Sequence, residues 1–167
     1  MTFGLAGALD PKLAAGSIIL PGELISRDGA RFATCKSWRE RVAASLGCAR
    51  VTEGILLTSA HAIETPHDKA AAFRDTGAAA VDMESVAVAA VAAAHKLPFI
   101  AVRVIVDTAA DVLPPSLVAA SQAGRVRSGR LIAGLVKAPG EIAALLRLAQ
   151  RYRTAMRSLR VVGTHLA

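Results

Sequence analysis

Three carboxylates and one guanidinium within residues 78–107, AAAVDMESVAVAAVAAAHKLPFIAVRVIVD, have types and spacing that could do chemistry. Asp82 and Glu84 end one short apolar run, and Asp107 closes a second that spans residues 98–106. Carboxylates aimed at one crevice can hand a proton to a departing group. Each acid also has a structural use. Asp82 could cap the helix that follows it. Glu84 sits where a helix dipole favours an acid, and Asp107 could cap the next turn. Arg103 alternates with apolar neighbours in a run that reads as a buried strand. A charge there is costly unless paired, and Asp107 or Glu84 is the candidate partner.

The elements that must position these groups read as strand, helix, strand. Residues 84–95 are almost pure Ala and Val without Gly or Pro, so a helix is expected. No polar face exists between Val86 and Ala94, which predicts burial on nearly every side. Two apolar strands joined by such a helix suggest a βαβ unit with parallel strands and a right-handed crossover. Both strand ends would then face the crevice where open parallel sheets bind ligands.

Upstream, residues 2–9 read as a Gly-interrupted strand. Gly4 and Gly7 suggest close backbone approach, although turn geometry explains them as well. Residues 17–25 form the next expected strand, interrupted at Pro21-Gly22, and 31–34 a short extended piece. Trp38, Val42 and Leu46 mark a helix over 36–46, with Gly47 as its stop. Residues 51–59 read as one strand. His61 follows its end and is the most functional-looking of the four histidines, against the alternative of a solvated loop residue. Thr65-Pro66 opens a helix that extends to about Thr76. Beyond Asp107, Pro114-Pro115 enforces an extended loop, and Asp111 is either a supporting acid or a loop residue. Residues 127–137 read as helical, and 141–159 as a long final helix. Its expected apolar stripe is Ile142, Leu145, Leu146, Ala149, Met156 and Leu159, with Arg147, Arg151 and Arg157 mostly on other faces.

The 167 residues fit a single domain over 1–167, with a real core. Composition is 53% hydrophobic but only 4% aromatic, which suits a tightly packed α/β protein and argues against disorder. Every apolar stretch is broken well before the roughly 18 residues a membrane span needs. The start lacks a basic region and makes a poor signal peptide, so a cytoplasmic location is expected. Cys35 and Cys48 read as free thiols, with no spacing that suggests a metal site. The net charge of +7 belongs to the tail: residues 121–167 hold nine of the 20 basic side chains and one of the 13 acidic ones. A solvated basic face explains the final helix; attraction to an anionic membrane surface is the functional alternative. Phe32, Trp38 and Tyr152 show no aromatic interleaving, so nucleic acid is not an expected partner.

VDMESVAVA, LPFIAVRVIVD and FGLAGALDPKLAAGSIILPGELI resemble the nucleoside phosphorylase and nucleosidase superfamily. The resemblance implies a three-layer α/β/α domain with a central mixed, mostly parallel sheet. It implies cleavage of an N-glycosidic bond of a purine nucleoside, by water or with phosphate as co-substrate, and no other cofactor or metal. By match, Asp107 protonates the purine at N7, Glu84 holds the ribose hydroxyls and Met83 packs on the sugar. The backbone at Ala6 and Gly7 faces base and sugar. Arg103 and His61 fall at substrate-facing places. Oxocarbenium character in the sugar and a base that needs a proton give two carboxylates a use.

DVLPPSL and GRVRSGRLIAGLVKAPGEIAALLRLAQRYRTAM resemble the hopanoid-associated branch, which implies adenine release from an adenosylated hopane lipid. The basic helices over 127–160 would suit such a substrate and peripheral contact with anionic membrane. Family members are commonly homo-oligomers. The resemblance also implies truncation at the N-terminus: the superfamily's first strands, its phosphate- or water-binding Gly loop and a water-activating acid would lie before Met1. Thr2 and Leu5 stand where phosphorylases place an Arg and a Ser, and Val106 replaces a small polar residue. A sheet without its first strands would expose an unpaired edge. The alternative function is a shortened, non-catalytic purine-nucleoside-binding relic.

Overall fold

The computed structural model describes residues 1–47, 51–114 and 142–166, and its centre is a mixed sheet of eight strands among those residues. In chain order the elements are β1 (Thr2–Ala8), β2 (Ile18–Ile19), β3 (Glu23–Ser26), β4 (Arg31–Ala33), α1 (Lys36–Ser45), β5 (Val51–Thr52) and β6 (Ile55–Thr58). They continue with α2 (Pro66–Thr76), β7 (Ala78–Asp82), α3 (Ser85–Ala94), β8 (Ala101–Asp107) and α4 (Ile142–Leu166). The strand order is β4-β3-β6-β7-β1-β8-β2-β5. Parallel pairings join β1 to β8, β2 to β5, β3 to β6 and β6 to β7; the other three are antiparallel. The mixed, mostly parallel α/β architecture is the one expected.

Period-two alternation along β8 serves both faces of the sheet. Val102 and Val104 pack with Val42 of α1 and with Ala155 and Val162 of α4. Ala101 and Ile105 pack with Ala89 of α3. Leu57 and Val81 pack with Ala72 of α2. The whole of β8 is buried apart from Val106, which explains its near-continuous apolar run.

Several expectations need correction. β7 and β8 are not neighbours: β1 lies between them, parallel to β8 and antiparallel to β7. The strand–helix–strand stretch is therefore no parallel βαβ unit, because pairing with a distant strand overrides the local pattern. β1 is central, and among the described residues the outermost strands are β4 and β5. The run 51–59 is two strands broken around Gly54, and 17–25 is two strands broken at Pro21-Gly22. Helix α3 is not buried all round, since Val88 and Val91 are 41% and 61% exposed. Among the described side chains of α4 the buried ones are Ala155 and Val162, while Leu146 is exposed. The inward face of that helix is thus rotated from the stripe expected. The expected helix over 127–137 lies outside the described residues, as does Cys48; Cys35 is a free thiol. Among the described residues, no helix is long and apolar enough to cross a membrane.

Helix α2 follows its local signals closely. Thr65 accepts the Asp68 N–H at 3.1 Å, Pro66 occupies the first turn, and Gly77 ends the helix at φ 66°. That φ is left-handed, which glycine adopts without cost. The Thr65 hydroxyl, followed by His67, holds the Asp68 carboxyl below its ordinary range. These ends fix the helix's rotation, and so place Lys69 with Ala72 on its buried face.

Candidate active site

Gly7 is the point where the site is assembled. It pairs with Val81 on one side and with Asp107 on the other, at an irregularity in the β1–β8 register. The two acidic strand ends are thereby brought together across β1. A cavity of about 380 Å³ opens there, within the usual size of small-molecule sites. Its walls include Leu5, Ala6, Gly7, Ile63, Val81, Val106 and Leu113; its polar groups are His61, Asp82, Glu84, Arg103 and Asp107. Met83 also lines it and is 56% exposed. Every residue singled out in the sequence for this site borders one hollow.

The polar groups sit in two buried clusters. In the first, Arg103 Nε donates to Asp82 Oδ2 at 2.8 Å, with both side chains almost fully buried. Its other nitrogens donate to Val102 O (3.1 Å), Thr2 Oγ1 (3.0 Å) and Ser85 Oγ (2.7 Å). Four of the five guanidinium N–H groups are thus satisfied. The partner of Arg103 is Asp82, not Asp107 or Glu84 as expected. Asp82 also accepts from Thr58 Oγ1 (2.7 Å), Ser85 Oγ (2.5 Å) and the Ser85 N–H (3.3 Å). The N-cap residue of α3 is Glu84, not Asp82, but the Asp82 carboxylate accepts the Glu84 and Ser85 N–H groups and so locks the turn that carries Met83 and Glu84. Glu84 remains exposed at the cavity's rim.

The second cluster holds Asp107, which is 5% exposed. Lys69 Nζ donates to Asp107 Oδ2 at 2.5 Å and to the carbonyls of Thr108 (2.9 Å) and Asp111 (3.1 Å). Among the described residues no backbone N–H donates to the Asp107 carboxylate; Asp111 holds the turn, accepting from the Thr108 N–H (2.7 Å) and hydroxyl (2.8 Å). Arg151 of α4 ion-pairs with Asp111 and donates to Thr108 Oγ1 at 2.7 Å, so this arginine points inward. His61 is exposed, and its carbonyl accepts from Ser59 Oγ at 2.8 Å.

The sequence assigns Lys69 no role and places Arg151 on a solvated basic face, whereas both reach this cluster. A signal existed for Lys69: with Ala72, Phe73 and Thr76 it forms an i, i+3, i+4, i+7 stripe, and a lone Lys on an apolar stripe calls for an anion. No local pattern marks Arg151, whose partners are 40 and more residues away.

Gly7 has a steric duty. A Cβ there would lie 2.9 Å from Asp107 Oδ2 and 3.1 Å from Oδ1. The carboxyl cannot swing away while Lys69 clamps it. Gly7→Ala is expected to push the carboxyl out of its place against Lys69 and to lower the melting temperature, because a buried ion pair that loses its geometry no longer offsets its burial. A thermal melt of the variant beside the wild type checks this.

Residues 1–138 match the family described as Phosphorylase superfamily. Comparison with curated proteins gave no match. Among solved structures, the fold is similar to a Helicobacter pylori 5'-methylthioadenosine nucleosidase mutant with 5'-methylthioadenosine in its active site. The TM-score is 0.65 at 15% identity, covering 98% of this chain and 65% of that one. A futalosine hydrolase mutant of the same organism gives 0.64 at 15% identity, covering 97% and 66%. The Campylobacter jejuni 5'-methylthioadenosine/S-adenosyl homocysteine nucleosidase gives 0.61 at 20% identity, covering 89% and 67%. The chain spans about two thirds of the length of these structures.

Proposed function

The chain belongs to the phosphorylase superfamily, and from that premise we propose that it cleaves the N-glycosidic bond of a purine nucleoside. One observation carries the reading: Glu84 and Asp107 border a single cavity whose remaining wall is mostly apolar. Asp107 protonates the base at N7, so that it leaves as a neutral molecule. Glu84 binds the ribose hydroxyls as the sugar gains oxocarbenium character, with Met83 against the sugar and the Ala6–Gly7 backbone beneath base and ribose. Arg103 and His61 complete the polar lining. Water or phosphate then captures the sugar.

Within that class, the substrate proposed is a 5′-substituted adenosine, such as the adenosylated hopane lipid of hopanoid synthesis. The exposed arginines 147, 153, 157 and 160 on α4 support this, as they could meet an anionic bilayer from which a lipid-tailed nucleoside is drawn. A cytoplasmic homo-oligomer belongs to the same reading, and the exposed apolar side of α3 supports it. The test is adenine release, measured with adenosine and with a lipid-tailed 5′ analogue presented in anionic and neutral vesicles. Faster release from the tailed substrate on anionic vesicles is the expected result. Equal rates on all four would remove the lipid assignment, and no release from any would remove the activity. A second reading, binding without turnover, draws support from the buried Lys69–Asp107 ion pair, which already occupies one oxygen of the candidate acid.

A further inference from the structure

Helix α4 reaches the site through one side chain. Four of its five arginines, 147, 153, 157 and 160, are exposed, whereas Arg151 turns inward. Its guanidinium pairs with Asp111 Oδ2 and donates to Thr108 Oγ1 at 2.7 Å. These two residues close the turn that follows β8. The Thr108 N–H and hydroxyl donate to Asp111 Oδ2 at 2.7 and 2.8 Å, and the Asp111 N–H donates back to the Thr108 carbonyl at 3.0 Å. The carbonyls of the same two residues are the acceptors that hold Lys69 Nζ beside Asp107. Just beyond, the Leu113 N–H donates to the Glu64 carbonyl at 2.9 Å, and Leu113 lines the cavity. Arg151 is not among the cavity's lining residues. Nor does α4 need it to dock, since Ala155 and Val162 are fully buried against Val102 and Val104 of β8. The Arg151 side chain is 32% exposed, and an ion pair so open to water adds little stability. What it supplies is geometry.

Resting on the proposed reading of Asp107, we infer that Arg151 is a positioning residue for the reaction. It fixes the turn 108–111, and through that turn it fixes Lys69 and the Asp107 carboxyl. Two of the three acceptors around Lys69 Nζ belong to the turn, so a turn free to open shifts the ammonium and the carboxyl bonded to it. A small misplacement of a reacting group costs turnover even when the change lies far from the chemistry. The apolar cavity wall that receives the nucleoside stays where it is, because β1 and β7 supply most of it. Loss of Arg151 therefore acts on the chemical step, not on binding.

The experiment is steady-state adenine release from adenosine by the intact chain, with amide hydrogen exchange on the same samples. Arg151→Met keeps the apolar stem and removes both polar links. It should lower kcat about tenfold with KM within about twofold of wild type, and leave the melting temperature within about 4 °C. Arg151→Lys, which keeps a cation near Asp111, should recover most of the rate. Asp111→Asn breaks the ion pair from the other side, while its amide oxygen still accepts from Thr108, and should lose a similar factor. The double variant should be no slower than the slower single, because both changes remove one link. In Arg151→Met the Thr108 and Leu113 amides should exchange about tenfold faster, with those of β1 unchanged. If circular dichroism shows that variant unfolded, Arg151→Gln takes its place. Wild-type kcat in the folded variant, losses that multiply in the double variant, or a rise in KM at unchanged kcat overturns the inference. Unchanged exchange at Thr108 overturns it whether or not adenine is released. Faster exchange in the variant, with no adenine released by wild type, removes the proposed activity and leaves Arg151 as the side chain that fixes the turn.

Discussion

Asp107→Asn is expected to abolish adenine release while the chain still folds and still binds nucleoside. An amide keeps the size of the group and can accept from Lys69 Nζ, which retains its two carbonyl partners at 2.9 and 3.1 Å. The buried ammonium loses its counter-charge but not its hydrogen bonds, so a lower melting temperature is expected with cooperative unfolding intact. What the amide cannot do is give a proton to N7. Losing a general acid costs about 10²- to 10⁴-fold in turnover, and the loss should fall on kcat with KM little changed, since the base is bound by the same walls. Chromatographic detection of adenine, with circular dichroism on the same preparation, decides the matter. Wild-type turnover in the variant would show that Asp107 is only the counter-ion of Lys69.

Elements whose ends are set by neighbours in sequence were readable, and those set by distant pairing were not. Thr65, Pro66 and Gly77 fix both ends of α2 through bonds no more than four residues long. Gly47, at φ 61°, marks only the C-terminal end of α1. By contrast, Gly54 and Pro21-Gly22 look like blemishes within single strands. They are the places where the chain leaves one end of the sheet for the other, since β5 and β6 lie at opposite reaches of the strand order. Nothing within a ten-residue window says that β1 will slip between β7 and β8. The candidate site was readable for a related reason: its acids stand at strand ends, where side chains leave the sheet for solvent or ligand. Their partners were not. Asp82 is 21 residues from Arg103, and Lys69 is 38 from Asp107. Alternation in β8 shows that Arg103 must be paired but offers no choice among three nearby carboxylates. The packing of α3 onto β3 and β4 leaves half of an all-apolar helix outward, which its sequence alone does not suggest.

Arg103→Met should be the most destabilising single change in the site, and it should also blunt nucleoside binding, in part through the turn that Asp82 locks. Methionine fills much of the same volume but leaves Asp82 charged, buried and 7% exposed, with only Thr58, Ser85 and backbone N–H groups to face it. Removing one partner of such a pair costs about 3–5 kcal/mol. The consequence reaches the cavity because Asp82 locks the turn that carries Met83 and Glu84 through the N–H of Ser85. Urea unfolding should show a lower midpoint at an unchanged slope, which marks a loss of stability without a change in the surface exposed. Adenosine should bind more weakly as Glu84 loses its fixed place. The companion change Asp82→Asn in the same chain removes the stranded charge and should restore much of the stability, because a neutral amide still bonds Ser85 and Thr58. It should not restore binding fully, since the turn has lost its ionic anchor. Equal stability of the single and double variants would mean that Asp82 is never left charged, and that the guanidinium's bonds to Thr2, Ser85 and the Val102 carbonyl, not the ion pair, hold this part of the sheet together.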